Sequence, residues 1–146
     1  MCRPIEILLV EDNPGDARLL RKALEQAPAA INVSVAEDGV DALDFLRGQG
    51  EHAAAPHIDL VLLDLNLPRK DGREVLAEIK QDEQLKSIPV VVLSSSSSSA
   101  DILSSYDLHA NGYITKWRDL TEFQAVMSAI ESFWLKVDTL PSGAKV

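Results

Sequence analysis

Ile58-Asp59-Leu60-Val61-Leu62-Leu63-Asp64 is the stretch that decides the fold. A short, nearly continuous apolar run closed by an acid reads as a strand buried on both faces, and such strands belong to parallel sheets flanked by helices. Asp64 then emerges at the carboxyl edge of the sheet. The other strongly apolar run, Ile5-Glu6-Ile7-Leu8-Leu9-Val10, also ends in acids, Glu11 and Asp12. If the two strands lie side by side, three carboxylates converge on one edge, and their repulsion calls for a cation. The donors are hard oxygens, so the expected ion is divalent, Mg²⁺.

Outward from these two runs, strand-like segments are predicted over Ile5–Val10, Asn32–Glu37, Ile58–Asp64, Pro89–Ser94 and Gly112–Thr115, each followed by a stretch with helical spacing. Five βα units imply an α/β fold, a doubly wound five-stranded parallel sheet with helices on both faces. Asn13-Pro14 sets a capping residue before a proline suited to a first helical turn, and Asp119-Leu-Thr-Glu122 has capping-box spacing. Leu20, Leu24 and Ala27 share one face of the first helix. Phe123, Val126, Met127, Ile130 and Trp134 share one face of the last.

A chain of 146 residues, 46% hydrophobic and 25% charged, suits one domain with a sizeable core. Its net charge of −9 argues against nucleic acid or an anionic membrane as partner, because phosphate backbones are bound by Lys and Arg. The lone Cys2 cannot form an internal disulfide, and no apolar stretch is long enough for a membrane span or a signal peptide, so the expected compartment is the cytoplasm. The stretch from Gly48 to Pro56 reads as a surface loop away from the strand ends. The six serines from Ser94 to Ser99 read as a solvated loop in which only Ser94, at a strand end, is placed for chemistry. The domain is expected to run from 1 to 138, with 139–146 a disordered tail. His52, His57 and His109 are not spaced as a metal site and read as surface or capping residues.

In an open α/β sheet, ligands bind outside the carboxyl ends of the strands. Here the first, third, fourth and fifth strands end in Glu11/Asp12, Asp64, Ser94 and Lys116. An acid after a strand is usually a turn residue, and a lysine there is usually solvated. Together, however, the four positions supply a carboxylate nucleophile, metal-holding acids, a hydroxyl and a fixed cation, which is the equipment of phosphoryl transfer.

Leu9-Val10-Glu11-Asp12-Asn13, Leu63-Asp64-Leu65-Asn66-Leu67-Pro68 with Asp71-Gly72, Val92-Leu93-Ser94 and Tyr113-Ile114-Thr115-Lys116 resemble the motifs of the receiver domain of bacterial two-component response regulators. The resemblance covers nearly the whole chain. It implies a flavodoxin-like sheet in the order 2-1-3-4-5 and Asp64 as the phosphoacceptor. It further implies Mg²⁺ held by Asp12, Asp64 and the backbone carbonyl of Asn66 with Glu11 assisting through water, Lys116 paired with the phosphoryl group, and Ser94 and Tyr113 as the switch pair. The implied protein is a phosphoprotein that catalyses only its own phosphorylation and dephosphorylation, takes its phosphoryl group from a sensor histidine kinase, and signals through the face of helix 4, strand 5 and helix 5. Short segments, Asp107–Lys116 and Phe133-Trp134-Leu135 among them, resemble the small regulators paired with bacterial phytochrome kinases, often dimeric.

One departure stands out. The family usually carries a proline after the lysine, joined by a cis bond, whereas here Trp117 follows Lys116. A cis bond before a non-proline residue costs about 2.5–4 kcal/mol, so the loop after the fifth strand and the lysine's approach are open to change, while the site is expected to stay intact because every charged and hydroxyl position is filled. Trp117 reads either as half-buried packing or as a candidate contact residue, and Phe133 with Trp134 either as anchors of a homodimer built on the last helix and fifth strand or as residues folded back onto the domain's own core. The alternatives are an unphosphorylated interaction module of the same fold and an aspartate-nucleophile phosphatase resembling the haloacid dehalogenases. The latter wants an acid where Asn66 stands.

Overall fold

The computed structural model describes residues 4–27, 30–48 and 57–133. Five strands alternate with five helices: β1 (Ile5–Val10), α1 (Pro14–Glu25), β2 (Ile31–Ala36), α2 (Gly39–Arg47), β3 (Leu60–Leu63), α3 (Gly72–Gln81), β4 (Val90–Ser94), α4 (Ser99–Asp107), β5 (Gly112–Thr115) and α5 (Leu120–Phe133). The sheet is parallel throughout, in the order β2-β1-β3-β4-β5. Cys2, His52, Trp134, most of the loop from Gly48 to Pro56 and the tail expected over 139–146 lie outside the described residues.

Alternation along β1 divides the core in two. Ile5, Ile7 and Leu9 join Leu20, Leu24, Phe123, Val126, Met127 and Ile130 on the α1/α5 face, while Leu8 and Val10 join Ala42, Leu43, Val75, Leu76 and Ile79 on the α2/α3 face. Every residue of β3 is fully buried, as expected for a central strand covered on both sides. Leu20 and Leu24 are buried as the first-helix stripe predicts, and Ala27 packs half-buried just beyond the helix end.

The strand ends differ from expectation by one or two residues, for local reasons. Asp59 sits outside β3 because its carboxylate accepts the Glu6 N–H at 2.9 Å, a side chain substituting for a ladder partner. Pro89 lacks an N–H, so β4 begins at Val90. The serine run is also more ordered in role than a bare loop: Ser98 caps α4, its hydroxyl accepting the Asp101 N–H at 3.1 Å, and Ser99 opens the helix. Asn13 and Asp119 cap α1 and α5 as predicted. His57 is exposed, and His109 adopts a left-handed conformation (φ 70°) just past α4, where its N–H and that of Ala110 bond back to Tyr106 and Ser105.

Candidate functional site

β1 and β3 are neighbours, with Val10 opposite Leu63, so Glu11 and Asp12 leave the sheet beside Asp64. A carboxylate oxygen from each of Glu11, Asp12 and Asp64 lies within 4.8 Å of the others. Glu11 and Asp64 are buried and Asp12 is exposed, so the cluster has an inner floor and an outer lip. Backbone amides hold the inner pair: the Asn13 N–H donates to Glu11 Oε2 (3.2 Å), and the Asn66 N–H to Asp64 Oδ1 (3.2 Å). Three oxygen donors this close, two in a low-dielectric floor, fit a hard divalent cation and no soft one.

Lys116 closes the cluster from β5. Its ammonium lies 2.5 Å from Glu11 Oε1, 3.2 Å from Asp64 Oδ2 and 3.0 Å from Asp16 Oδ2. Its backbone N–H donates to the Ser94 carbonyl at 2.7 Å, which fixes the stalk. Among the described residues there is no cis peptide bond, so Lys116–Trp117 is trans, and the lysine still reaches Asp64.

The charges distort one another. Burial, helped by Asp64, pushes Glu11 up to about 7, although the Lys116 ammonium pulls the other way. Burial alone would depress Lys116, yet Glu11, Asp64 and Asp16 outweigh it and raise the ammonium above its ordinary range.

Ser94 ends β4, fully buried, and its hydroxyl accepts the Ser96 N–H at 3.2 Å. Tyr113, half-buried on β5, donates its hydroxyl to the Ser96 carbonyl at 2.7 Å, so both switch candidates already hold the same β4–α4 loop. Asn66 is exposed at the mouth of the cleft, which Glu11, Asp12, Asp16, Asp64, Ser95 and Lys116 also line. Trp117 packs its ring edge-on against Phe123 (centroids 4.8 Å apart, planes at 76°) and lies half-buried against the protein's own core. Phe133 is the last residue of α5, and Trp134 follows outside the described residues.

Asp16 is the site residue that sequence reasoning missed. Its signal was present, since it stands three residues after the Asn13 cap on a helix that starts at the same sheet edge, but helix position alone does not say which way a carboxylate points.

A family model for the response regulator receiver domain matches residues 7–128. The chain is 50% identical over 139 residues to the response regulator Rcp1 of Synechocystis sp., with 95% of each chain covered. A solved structure of the Mn²⁺-bound form of Rcp1 superposes with a TM-score of 0.89 at 50% identity, covering 94% of this chain and 99% of that one. The phosphorylated cyanobacterial phytochrome response regulator RcpA is similar at a TM-score of 0.90 and 53% identity, covering 96% of this chain and all of that one (100%).

Proposed function

The chain belongs to the response regulator receiver family, and from that membership we propose that Asp64 accepts a phosphoryl group from a sensor histidine kinase. The observation that carries the reading is Lys116 bridging Glu11 and Asp64 inside the three-carboxylate cluster. An oxygen of Asp64 attacks the phosphorus of a phosphohistidine. The P–O bond forms, the P–N bond breaks, and the departing imidazole nitrogen takes up a proton. The protein contributes position and charge, because the transferred group's negative charge spreads over its oxygens.

Lys116 stands beside Asp64 to meet that charge, and the Ser94 hydroxyl supplies a further donor from the adjacent strand. Asp12, Asp64 and the backbone carbonyl of Asn66, with Glu11 assisting, would hold Mg²⁺. When bound, the ion supplies positive charge that offsets the repulsion between the carboxylates and an incoming phosphoryl group. Water later hydrolyses the acyl phosphate and returns Asp64 to its starting state. The protein is a regulator of the receiver family rather than a member of a classical enzyme family.

The output runs through Ser94 and Tyr113. Phosphoryl oxygens draw the Ser94 hydroxyl from its bond with Ser96, Tyr113 exchanges its own hold on that loop, and the face of α4, β5 and α5 changes shape. The kinase partner is of the bacterial phytochrome type. The likeness to RcpA supports this. The receiver domain is taken to run from 1 to 138, with 139–146 as its tail, in the cytoplasm. No helix among the described residues is long and apolar enough to cross a membrane. Two copies pair through the last helix and fifth strand, with Phe133, Trp134 and Trp117 near the contact.

The test is intact-mass measurement after incubation with Mg²⁺ and acetyl phosphate. The parent is expected to gain one phosphoryl group, and Asp64→Asn, which keeps the shape without the anionic nucleophile, none. Equal gain by parent and variant would overturn the assignment.

A further inference from the structure

Lys116 carries the reacting charge at the end of a flexible stem, and something must fix its tip. Its backbone is held by the Ser94 carbonyl and by the Trp117–Phe123 contact that follows it. Four side-chain bonds still rotate beyond that anchor. An ammonium has three N–H donors, and here three different carboxylates, Glu11, Asp16 and Asp64, lie within reach of it.

The three acceptors are not equivalent. Glu11 and Asp64 are also members of the metal-binding cluster, and their negative charge is shared with any cation held there. Asp64 loses its carboxylate charge when its oxygen becomes the bridging oxygen of an acyl phosphate, a mixed anhydride. Asp16 stands outside the cluster, so its hold on Lys116 is the one that neither event weakens. It is also rigidly mounted. Pro14 opens α1, and the Asn13 side chain accepts the Asp16 N–H at 3.0 Å, which fixes the first helical turn.

We propose that Asp16 is the positioning residue of Lys116: it keeps one N–H of the ammonium engaged on α1, so that another stays aimed at Asp64 and at the phosphoryl oxygens that arrive there. The proposal rests on the phosphoryl-transfer reading above. Asp16 is not one of the carboxylates clustered to hold a metal, and in this proposal it acts through the lysine.

The experiment compares the parent with Asp16→Ala and Asp16→Asn. Asp16 is part-exposed on a helix and alanine is a strong helix former, so both variants are expected to fold, which thermal melting checks. With saturating Mg²⁺ and varied acetyl phosphate, Asp16→Ala should lower the maximal rate about tenfold, leaving the half-saturating donor concentration unchanged. Asp16→Asn, which keeps an oxygen acceptor, should recover most of that loss. In the Mg²⁺-loaded protein, where the cation shares the charge of Glu11 and Asp64, the slowly exchanging NMR signal of the Lys116 ammonium should be seen in the parent and lost in Asp16→Ala.

If Asp16 were only a nearby negative charge, its removal would ease the approach of the anionic donor and speed the reaction. A faster Asp16→Ala, or one within about twofold of the parent, overturns the positioning role while the parent's own phosphorylation leaves the underlying reading standing. An Asp16→Ala ammonium signal as persistent as the parent's overturns it as well. A parent that gains no phosphoryl group overturns both.

Discussion

Glu11 is the residue whose charge depends most on its surroundings. Its carboxyl is buried among acids, and its proton affinity in the folded chain rises to about 7 from an ordinary 4.5, with burial as the largest cause. A raised folded value means the native state binds this proton more tightly than the unfolded chain. The resulting stabilisation is fully present below the unfolded value and lost as pH rises through about 7. The metal-free protein should therefore gain melting temperature between pH 8 and pH 5 from this group, and Glu11→Gln should flatten that part of the profile. A divalent cation needs the deprotonated form, so Mg²⁺ affinity should fall by up to about tenfold per pH unit below neutrality. Calorimetric titration at pH 6 and pH 8 checks this, and equal affinities would refute it. Glu11 and Asp64 were legible in the sequence because an acid that closes a buried strand has one place to go. Asp16 was not, because its contact with Lys116 depends on a helix's rotation and a lysine's rotamer, which no spacing rule encodes.

The loop between β3 and α3 shows what an element needs beyond its apolar pattern. Gly72 opens α3 with its N–H on the Leu65 carbonyl at 2.8 Å, so close that an added Cβ would lie 2.3 Å from the Asp64 carbonyl oxygen and 2.6 Å from Leu65 Cα. Both obstacles are backbone, and neither can swing aside. Earlier in the loop Arg69 takes a left-handed conformation (φ 63°), unusual for a residue with a Cβ. Its guanidinium grips the Asp38 carboxylate with two bonds of 2.9 Å, and Asp38 also caps α2 through the Asp41 N–H. The segment that carries Asp64 is thus clamped from two sides. Gly72→Ala should cost about 2 kcal/mol or more, as overpacking against backbone does, and should displace Asp64 and slow its phosphorylation. Urea denaturation together with the acetyl phosphate reaction checks it. An alanine variant as stable and as reactive as the parent would show that the helix start can shift. The sequence marked Asp71-Gly72 as part of a motif, but the reason for the glycine is a close approach visible only in three dimensions.

At the scale of the whole molecule, apolar runs and helical spacing were enough to read five parallel βα units, whereas the order β2-β1-β3-β4-β5 rested on resemblance, since periodicity does not say which strand neighbours which. The same limit applies to assembly. The apolar stripe of α5 is largely spent on the protein's own core, with Phe123, Val126, Met127 and Ile130 buried against the sheet, and Trp117 turns inward to join them. Among the described residues, the large apolar side chains left exposed are Leu19 on α1 (41%), Leu120 at the start of α5 and, on α4 beside the edge strand β5, Leu103 and Tyr106, the last three with relative exposures of 67%, 63% and 47%. Isolated apolar residues such as Leu19 are ordinary on a surface, but Leu103, Tyr106 and Leu120 belong to elements that flank one sheet edge, and an edge strand leaves one side of its backbone unpaired. A two-fold contact over this face would cover the apolar groups of both copies at once, since the same patch meets itself. A stable contact of this kind buries about 1,200–2,000 Å² in total, more than these residues alone supply, so the end of α5 must contribute. The parent is therefore expected to sediment as a dimer at tens of micromolar, with or without beryllofluoride. Phe133→Ala, at the last turn of α5, should weaken association by about 2 kcal/mol if that residue is a central anchor. A parent that sediments as a monomer under both conditions would defeat the dimer and leave this face free for the kinase or the output partner.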